Sequence, residues 1–381
     1  MTTETASLLD ELRERIRSEG PITFRDYMAA ALYHPRFGYY VNIVPGAGAH
    51  YATSPSVSSW FGRLVAQEVR RMWETLGRPN PFTVVEVGAG QGDLAAPAIQ
   101  AAGPMREALR WRFIEPMPDV RKLQRRHLAD VQANLEWAGS LDELPPVVGC
   151  VIANEVLDNF PVHVLQAVRD GEVQEVYVDL YGGRLVERLG PLSDPVLADP
   201  AGRASPYLNP GDRFEVSPMF DEWCGQAARC LEHGYLLVID YGDEEPDIWK
   251  LGPSGGIATF GPRGKGRIPL EDPGTQDVTA DVNFSALARA ARAAGFDPKP
   301  LINQGPWLLS LGLADVAHNY FRSAQKVAES GDHEKAVTLM AERAQVLKLA
   351  KEGGLGEAWV FLAGKDAPLP WIEDPGPSVT S

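Results

Sequence analysis

The sequence predicts an α/β fold built on a doubly wound, mainly parallel sheet, and three observations carry that expectation. From Phe82 onward, short apolar runs alternate with helical stretches of about ten residues, the pattern of strand-helix-strand units with helices on both faces of a sheet. The run TVVEVGAGQGDL takes one such strand straight into a glycine turn that opens a helix. Before Phe82 the apolar spacing is helical, apart from one long loop. Residues 1–80 are therefore expected as a helical N-terminal segment, 81–366 as the sheet domain and 367–381 as a loose tail.

The N-terminal segment opens with an amphipathic helix within MTTETASLLDELRERIRSEG. A second helix is expected from Thr23 to the turn at Pro35 to Gly38, followed by the Gly-rich loop VPGAGAHYATSPS. The stretch SSWFGRLVAQEVRRMWETLG is apolar at helical spacing and closes on Gly77. In the sheet domain TVVEVG, LRWRFIEP, LEWAG and VVGCVIANE supply four strands, with DLAAPAIQAA and DVRKLQRRHLAD as helices. The alternation then breaks, because VHVLQAVRDGEVQEVYVDLYGGRLVE reads as antiparallel hairpins turning at Asp170-Gly171 and Gly182-Gly183. This makes 160–215 a β-hairpin insertion. The helix MFDEWCGQAARCLEHG and the strand YLLVIDYG resume the core. The Gly/Pro-rich stretch 242–280 is too long for a plain connector, and such loops are usually functional or mobile. After the helix FSALARAARAAG and a short strand at KPLIN, helices over 314–330 and 333–351 form a helical insertion within 306–351, and EAWVFLAGK closes the sheet.

Composition narrows the function. Hydrophobic residues make up 44% and charged residues 23% of 381, the balance of a globular chain that buries a sizeable core. A formal charge of −15 argues against a surface that neutralises nucleic-acid phosphates. Longest apolar runs fall well short of the ~20 residues a membrane-spanning helix needs. Partners are accordingly expected to exclude nucleic acid and membrane. The seven histidines are scattered and no two lie at i, i+4 spacing, so no metal is expected. Cys150, Cys224 and Cys230 make no C-x-x-C pair and no even count. The N-terminus lacks the apolar core of a secretory signal, and its acids count against a mitochondrial transit peptide, so a cytoplasmic protein is expected.

The glycine turn carries the chemistry. Glycines adopt positive φ and let a backbone approach a ligand, and the helix that follows offers unpaired N–H groups. A dinucleotide fingerprint would need G-x-G-x-x-G, but here the third glycine comes early, at Gly92, and Asp93 stands where the last glycine should be, a carboxylate that would repel pyrophosphate. The pattern Glu86-x-Gly88-x-Gly90-x-Gly92 suits S-adenosylmethionine instead, a ligand without phosphate whose sulfonium and amino group are cationic; Glu86 would face that end. Glu115 ends the second strand 23 residues after Gly92, near the ~20 expected of an acid that accepts hydrogen bonds from ribose hydroxyls. It also reads as a solvated acid beside Pro116. Ser140 and Leu141 sit where an adenine edge would pass, although Ser-Leu-Asp-Glu-Leu is also ordinary helix-cap sequence.

Several segments in order, ITFRDYMAAALYHPRFGYY, YATSPSVSSWFG, WETLGRPNPFTVVEVGAGQGDL, FIEPMPDVRKLQ and NEVLDNFPVHVLQ, together resemble the MidA-like methyltransferases, with weaker similarity on to about residue 313. The mitochondrial members of that family are protein arginine methyltransferases needed for respiratory complex I assembly. The resemblance implies a class I methyltransferase (Rossmann-like) sheet, S-adenosylmethionine as cofactor with S-adenosylhomocysteine as product, and a protein, peptide or small-molecule methyl acceptor. It implies further that Thr53, Ser54 and Pro55 help close the cofactor pocket and that Asn154, Glu155 and Asp158 lie at the carboxyl end of the fourth strand. Asn154 is then a cofactor contact, and Glu155 and Asp158 are the acids that orient and deprotonate an acceptor; the alternative is a helix cap and a surface acid. A homodimer fits the reading as well as a monomer does. Two positions depart from the family: Asp281 stands where its histidine is expected and Asn283 where its aspartate is.

Overall fold

The computed structural model describes residues 7–42, 53–262 and 264–370. In chain order the principal elements are helices α1 (Leu8–Glu19), α2 (Phe24–Tyr33), α3 (Ser54–Val57) and α4 (Trp60–Thr75), then β1 (Phe82–Val87), α5 (Ala95–Gln100), β2 (Leu109–Ile114), α6 (Pro118–His127), β3 (Asn134–Ala138) and β4 (Val147–Asn154). The strands β5 (His163–Ala167), β6 (Val173–Tyr181), β7 (Arg184–Gly190) and β8 (Arg213–Val216) follow. The chain then runs through α7 (Met219–Cys230), β9 (Leu231–Asp240), α8 (Phe284–Ala293), α9 (Leu313–Glu329), α10 (His333–Lys348) and β10 (Trp359–Lys365). The tail from residue 371 and the loop at 43–52 lie outside the described residues.

The chain divides into two compact units, each assembled from three stretches: 1–51, 156–223 and 242–290 in the first, 52–155, 224–241 and 291–381 in the second. The second unit holds the predicted sheet. Its strands run in the order β3-β2-β1-β4-β9-β10, parallel from β3 to β9, with β10 antiparallel at β9. Chain order reverses between β1 and β4, and such a switch point opens a crevice at the carboxyl ends of the strands. β4 reads as an unbroken apolar run because both its faces are covered, whereas β2 alternates, with Arg110 and Arg112 half-buried. Val84 of β1, Trp111 of β2 and Ile152 of β4 pack into one core with Phe61, Leu64 and Val65 of α4 and Leu308 before α9.

The first unit is built on an antiparallel sheet in the order β6-β5-β8, with β7 on the other edge of β6 and the short strand Ile22–Thr23 paired to β6 on the edge that β5 uses. The turn Gly182-Gly183 has φ of +58° and +78°, the geometry a two-residue hairpin demands. One face of the sheet offers Val164, Val176 and Val178 to Leu12, Ile16, Phe24 and Met28 of α1 and α2. These contacts explain why the compact units cut across the boundaries drawn from sequence. The helices before residue 51 share helical spacing with α4, yet their apolar faces pack on the antiparallel strands, whereas α4 packs on the parallel sheet. The stretch 242–280 contains a three-stranded antiparallel sheet, Ala258–Gly261, Gly264–Gly266 and Asp277–Thr279, and belongs to the first unit. Its pattern is too short and too glycine-rich to be read as strands.

Candidate functional site

The carboxyl ends of β1, β2 and β4, side by side in the second unit, gather the groups that the sequence nominates. Glu86, in β1, is 3% exposed and accepts a hydrogen bond from Trp111 Nε1 of β2 at 2.8 Å. Burial pushes its carboxyl up to about 8, with the charge of Asp93 adding to the rise and the Trp111 bond opposing it. Gly88, Gly90 and Gly92 follow with φ of +65°, +54° and +97°, a left-handed path that side chains rarely adopt. A Cβ at Gly92 would also press within 3.0 Å of Leu128.

Sequence reasoning passed over the residue that holds this turn. Gln124 of α6 is fully buried; its Nε2 donates to the Gly90 carbonyl at 2.9 Å and its Oε1 accepts from Trp137 Nε1 at 2.9 Å. The signal was present in the spacing, since Gln124 lies four residues after Val120 and so shares its buried helix face. A polar side chain there needs partners, and a backbone carbonyl in the cofactor turn is one.

Glu115, just after β2, is 6% exposed, so it is not a solvated acid. Its Oε1 accepts from the Met117 N–H at 3.0 Å, while Oε2 has no partner among the described residues. Burial raises its carboxyl above the usual range, against the lowering effects of Met117 and Arg121. Ser140 stands at the N-cap position of the short turn Leu141–Glu143 without a side-chain capping bond, with Leu141 buried and Asp142 paired to Arg229 at 2.9 Å. Asn154 ends β4. Its buried Oδ1 has no hydrogen-bond partner among the described residues, and its Nδ2 lies 3.4 Å from Glu155 Oε1.

Glu155 is the strained residue of the site. It takes φ of +53°, a left-handed conformation uncommon outside glycine, and its N–H is fixed to the Ile239 carbonyl of β9 at 2.8 Å. The side chain accepts from the Ser54 N–H at 3.2 Å. Burial pushes this carboxyl up to about 8 as well, with nearby Asp240 adding to the rise. Thr53 and Pro55 open α3, where Ser56 Oγ accepts from the Thr53 N–H at 3.0 Å and donates to its carbonyl at 2.8 Å. Ser54 is buried and bonded to Gln304, whose Nε2 lies within 2.9 Å of Ser54 Oγ and of the Leu349 and Leu355 carbonyls. Gln304 thus ties α3 to the segment around α10, another link the sequence did not reveal.

Asp158, expected beside Glu155, falls in the other compact unit, the division lying between Glu155 and Val156. Its carbonyl accepts from the Ala280 N–H at 2.8 Å, and its charge helps raise the Tyr33 phenol, an effect dominated by burial. Among the described residues no group of three or more His, Cys, Asp or Glu could hold a metal ion, and no helix is long and apolar enough to cross a membrane.

Three acids at adjacent strand ends, two of them pushed up to about 8 by burial, disfavour a pyrophosphate and favour a cation that restores their charge. An uncommitted carboxylate oxygen and an orphaned amide oxygen call for hydroxyl or amino donors. These residues fit S-adenosylmethionine. Fold and site together define an α/β methyltransferase of class I type. The chain belongs to the family described as "Putative S-adenosyl-L-methionine-dependent methyltransferase", which matches residues 64–301, and it is an S-adenosylmethionine-dependent methyltransferase.

Solved structures and curated relatives agree. A protein from Burkholderia thailandensis crystallised with S-adenosyl-homocysteine superposes with a TM-score of 0.81 at 26% identity, covering 96% of this chain and 92% of that one. The "Protein arginine methyltransferase NDUFAF7 homolog, mitochondrial" of Drosophila melanogaster is 28% identical over 76% of this chain and 71% of its own length. Its human counterpart is 28% identical over 80% and 73%. These relatives correct the expectation of a cytoplasmic protein, for they are named as mitochondrial proteins. The acid-bearing N-terminus on which that expectation rested lies partly outside the described residues.

With Glu115 buried and half satisfied, Glu115→Ala is expected to weaken S-adenosylhomocysteine binding by about 1–3 kcal/mol, the cost of leaving hydroxyl donors unpaired. Calorimetry reads it. An unchanged affinity would remove Glu115 from the cofactor site.

Proposed function

We propose that the protein transfers methyl groups to arginine side chains of a protein acceptor, with Glu155 as the base. The observation that carries this reading is the geometry of Glu155: a carboxyl at the end of β4, held in a strained backbone and pushed up to about 8 by burial. Strain persists where the surroundings enforce it, and enforced strain concentrates at functional sites. The names of the relatives support the acceptor.

Around the cofactor, the residues divide the work. Glu86 answers the cationic amino-acid end, the Gly88 to Gly92 turn lets the backbone approach it, and Glu115 takes the ribose hydroxyls. Ser140 and Leu141 flank the adenine, Asn154 Oδ1 receives an amino donor, and Thr53 and Pro55 belong to the cover. S-adenosylmethionine bound there supplies a methyl carbon on a sulfonium, open to in-line displacement. Positioning then provides much of the acceleration.

A guanidinium arrives protonated, and its nitrogen gains a methyl group only if it sheds a proton as the new N–C bond forms. Glu155 receives that proton. The approaching cation lowers the raised carboxyl and ionises it where a base is needed, and the proton returns to the carboxyl as the methylated guanidinium leaves with its single positive charge. Asp158, expected from the sequence as the partner of Glu155, is not required by this reading.

The test is to incubate the protein with methyl-labelled S-adenosylmethionine and a mitochondrial protein extract, then hydrolyse the labelled protein to amino acids. Methylarginine is expected. Label confined to another amino acid or to a small molecule would overturn the acceptor while leaving the methyltransferase class intact.

A further inference from the structure

The first unit contains a cavity of about 170 Å³ that none of the methyl-transfer chemistry uses. Its walls are charged but unevenly paired. Arg289 holds Glu245 through two bonds of 2.6 and 3.0 Å, Arg203 reaches the same carboxylate at 3.4 Å, and Asn283 adds a bond of 3.0 Å. Both lining cations are thereby committed, and Arg203 also pairs with Asp199 at 3.2 Å. Glu215 and Asp281 have no such cation on the wall of the cavity. Asp281 feels Lys265 and Arg267, neither of which lines it.

Glu215 is the more telling of the two. It is 9% exposed; its Oε2 accepts from the Gly256 N–H at 3.0 Å, and its buried Oε1 has no hydrogen-bond partner among the described residues. A buried carboxylate oxygen without a donor costs free energy unless a ligand supplies one. The hydroxyl of Ser217, which also lines the cavity, is likewise buried without a partner among the described residues. The backbone around the acids has been cleared to seat them. Gly255 takes φ of +56°, and a Cβ there would collide with Glu215 Oε1; a Cβ at Gly256 would come within 2.8 Å of Asp281 Cβ. Apolar surface completes the cavity, with Leu157, Val162, Phe220 and Trp249 along its walls.

We propose that this cavity is a binding site for an alkylguanidinium group, the side chain of an arginine on a partner protein, with Glu215 Oε1, Asp281 and Ser217 Oγ accepting from the guanidinium and the apolar wall covering the methylene stem. Several acceptors lining one cavity match the planar five-donor fork of a guanidinium better than a point-charge ammonium. The Trp249 ring gives the cation an aromatic neighbour. Burial and the repulsion of Asp281 raise Glu215 to about 7, a shift that an incoming cation would reverse. The inference does not depend on which atom the enzyme methylates, because the cavity and the cofactor site belong to different units.

The experiment titrates n-butylguanidinium and n-butylammonium chloride into the full-length protein, followed by calorimetry and tryptophan fluorescence. The guanidinium is expected to bind at least about fivefold more tightly than the ammonium. Glu215→Gln and, separately, Asp281→Asn should each weaken it about tenfold, the loss typical of one charge-assisted hydrogen bond, with S-adenosylhomocysteine affinity unchanged as the sign of a folded protein. Glu155→Gln should leave guanidinium binding as it is. Absence of binding, equal affinity for the two cations, or binding that survives both acid substitutions would overturn the site. Loss of binding in Glu155→Gln alone would overturn it too, by placing the cation at the methyl-transfer centre.

Discussion

Glu155→Gln is expected to cut turnover by about 10²-fold or more, the usual loss when a general base is removed, while S-adenosylhomocysteine affinity stays within about threefold. Glutamine keeps the volume and can retain the contact with the Ser54 N–H, so the fold has no reason to change. The pH dependence sharpens the test. Glu155 must be ionised to accept a proton, and burial pushes it up to about 8. At saturating cofactor, kcat/KM for the acceptor should therefore fall about tenfold per pH unit below that value and level off above it. Arginine stays protonated throughout this range, so the limb cannot come from the acceptor. In Glu155→Gln the limb should vanish along with the rate. A variant with full turnover, or one that keeps the wild-type limb, would leave the base elsewhere. Equal loss of turnover and cofactor affinity would instead assign Glu155 to the pocket of the methionine end.

The parallel sheet was legible because β1, β4 and the Tyr235 to Ile239 stretch of β9 are buried on both faces and so are largely apolar, while β2 alternates, with Arg110 and Arg112 half-buried. β1 and β2 are also each followed by a helix, α5 and α6. The cofactor turn was legible for a related reason: three glycines two residues apart, after a strand and before a helix, are costly unless a left-handed path is needed, and all three take positive φ. The site's supporting bonds were not legible. Gln124 reaches Gly90 across 34 residues of sequence and Gln304 reaches Ser54 across 250, and no local period encodes such pairings. The strained φ of Glu155 escaped notice because nothing in Asn-Glu-Val marks a left-handed residue. The grouping of the N-terminal helices with the hairpin strands escaped notice as well. An amphipathic stripe shows that a face is buried, but not which sheet covers it.

Glu86 should make cofactor binding depend on pH in a way that one substitution abolishes. In the empty protein burial pushes this carboxyl up to about 8, so below that pH it carries a proton that an unfolded glutamate would have lost near 4.5. The folded state therefore binds the extra proton between those two values, and this group's contribution to stability declines as pH rises through that window. A cation arriving at Glu86 favours the ionised form, so binding must release the proton. Affinity for S-adenosylhomocysteine, whose amino group is still cationic, should accordingly rise as pH increases from 6 toward 8, by as much as about tenfold per unit where release is complete. Calorimetry in buffers of different ionisation enthalpy counts the proton directly. Glu86→Gln preserves the shape beside Trp111 but removes the charge; it should weaken binding about ten- to hundredfold at pH 8, the loss typical of a hydrogen bond to a charged group, and flatten the profile below it. Because Glu155 also titrates near 8, the same measurement on Glu155→Gln is the control, and there the pH dependence should persist. If Glu86→Gln kept both the affinity and the slope, the carboxyl would be a structural partner of Trp111 and the cationic end of the cofactor would be met by another group.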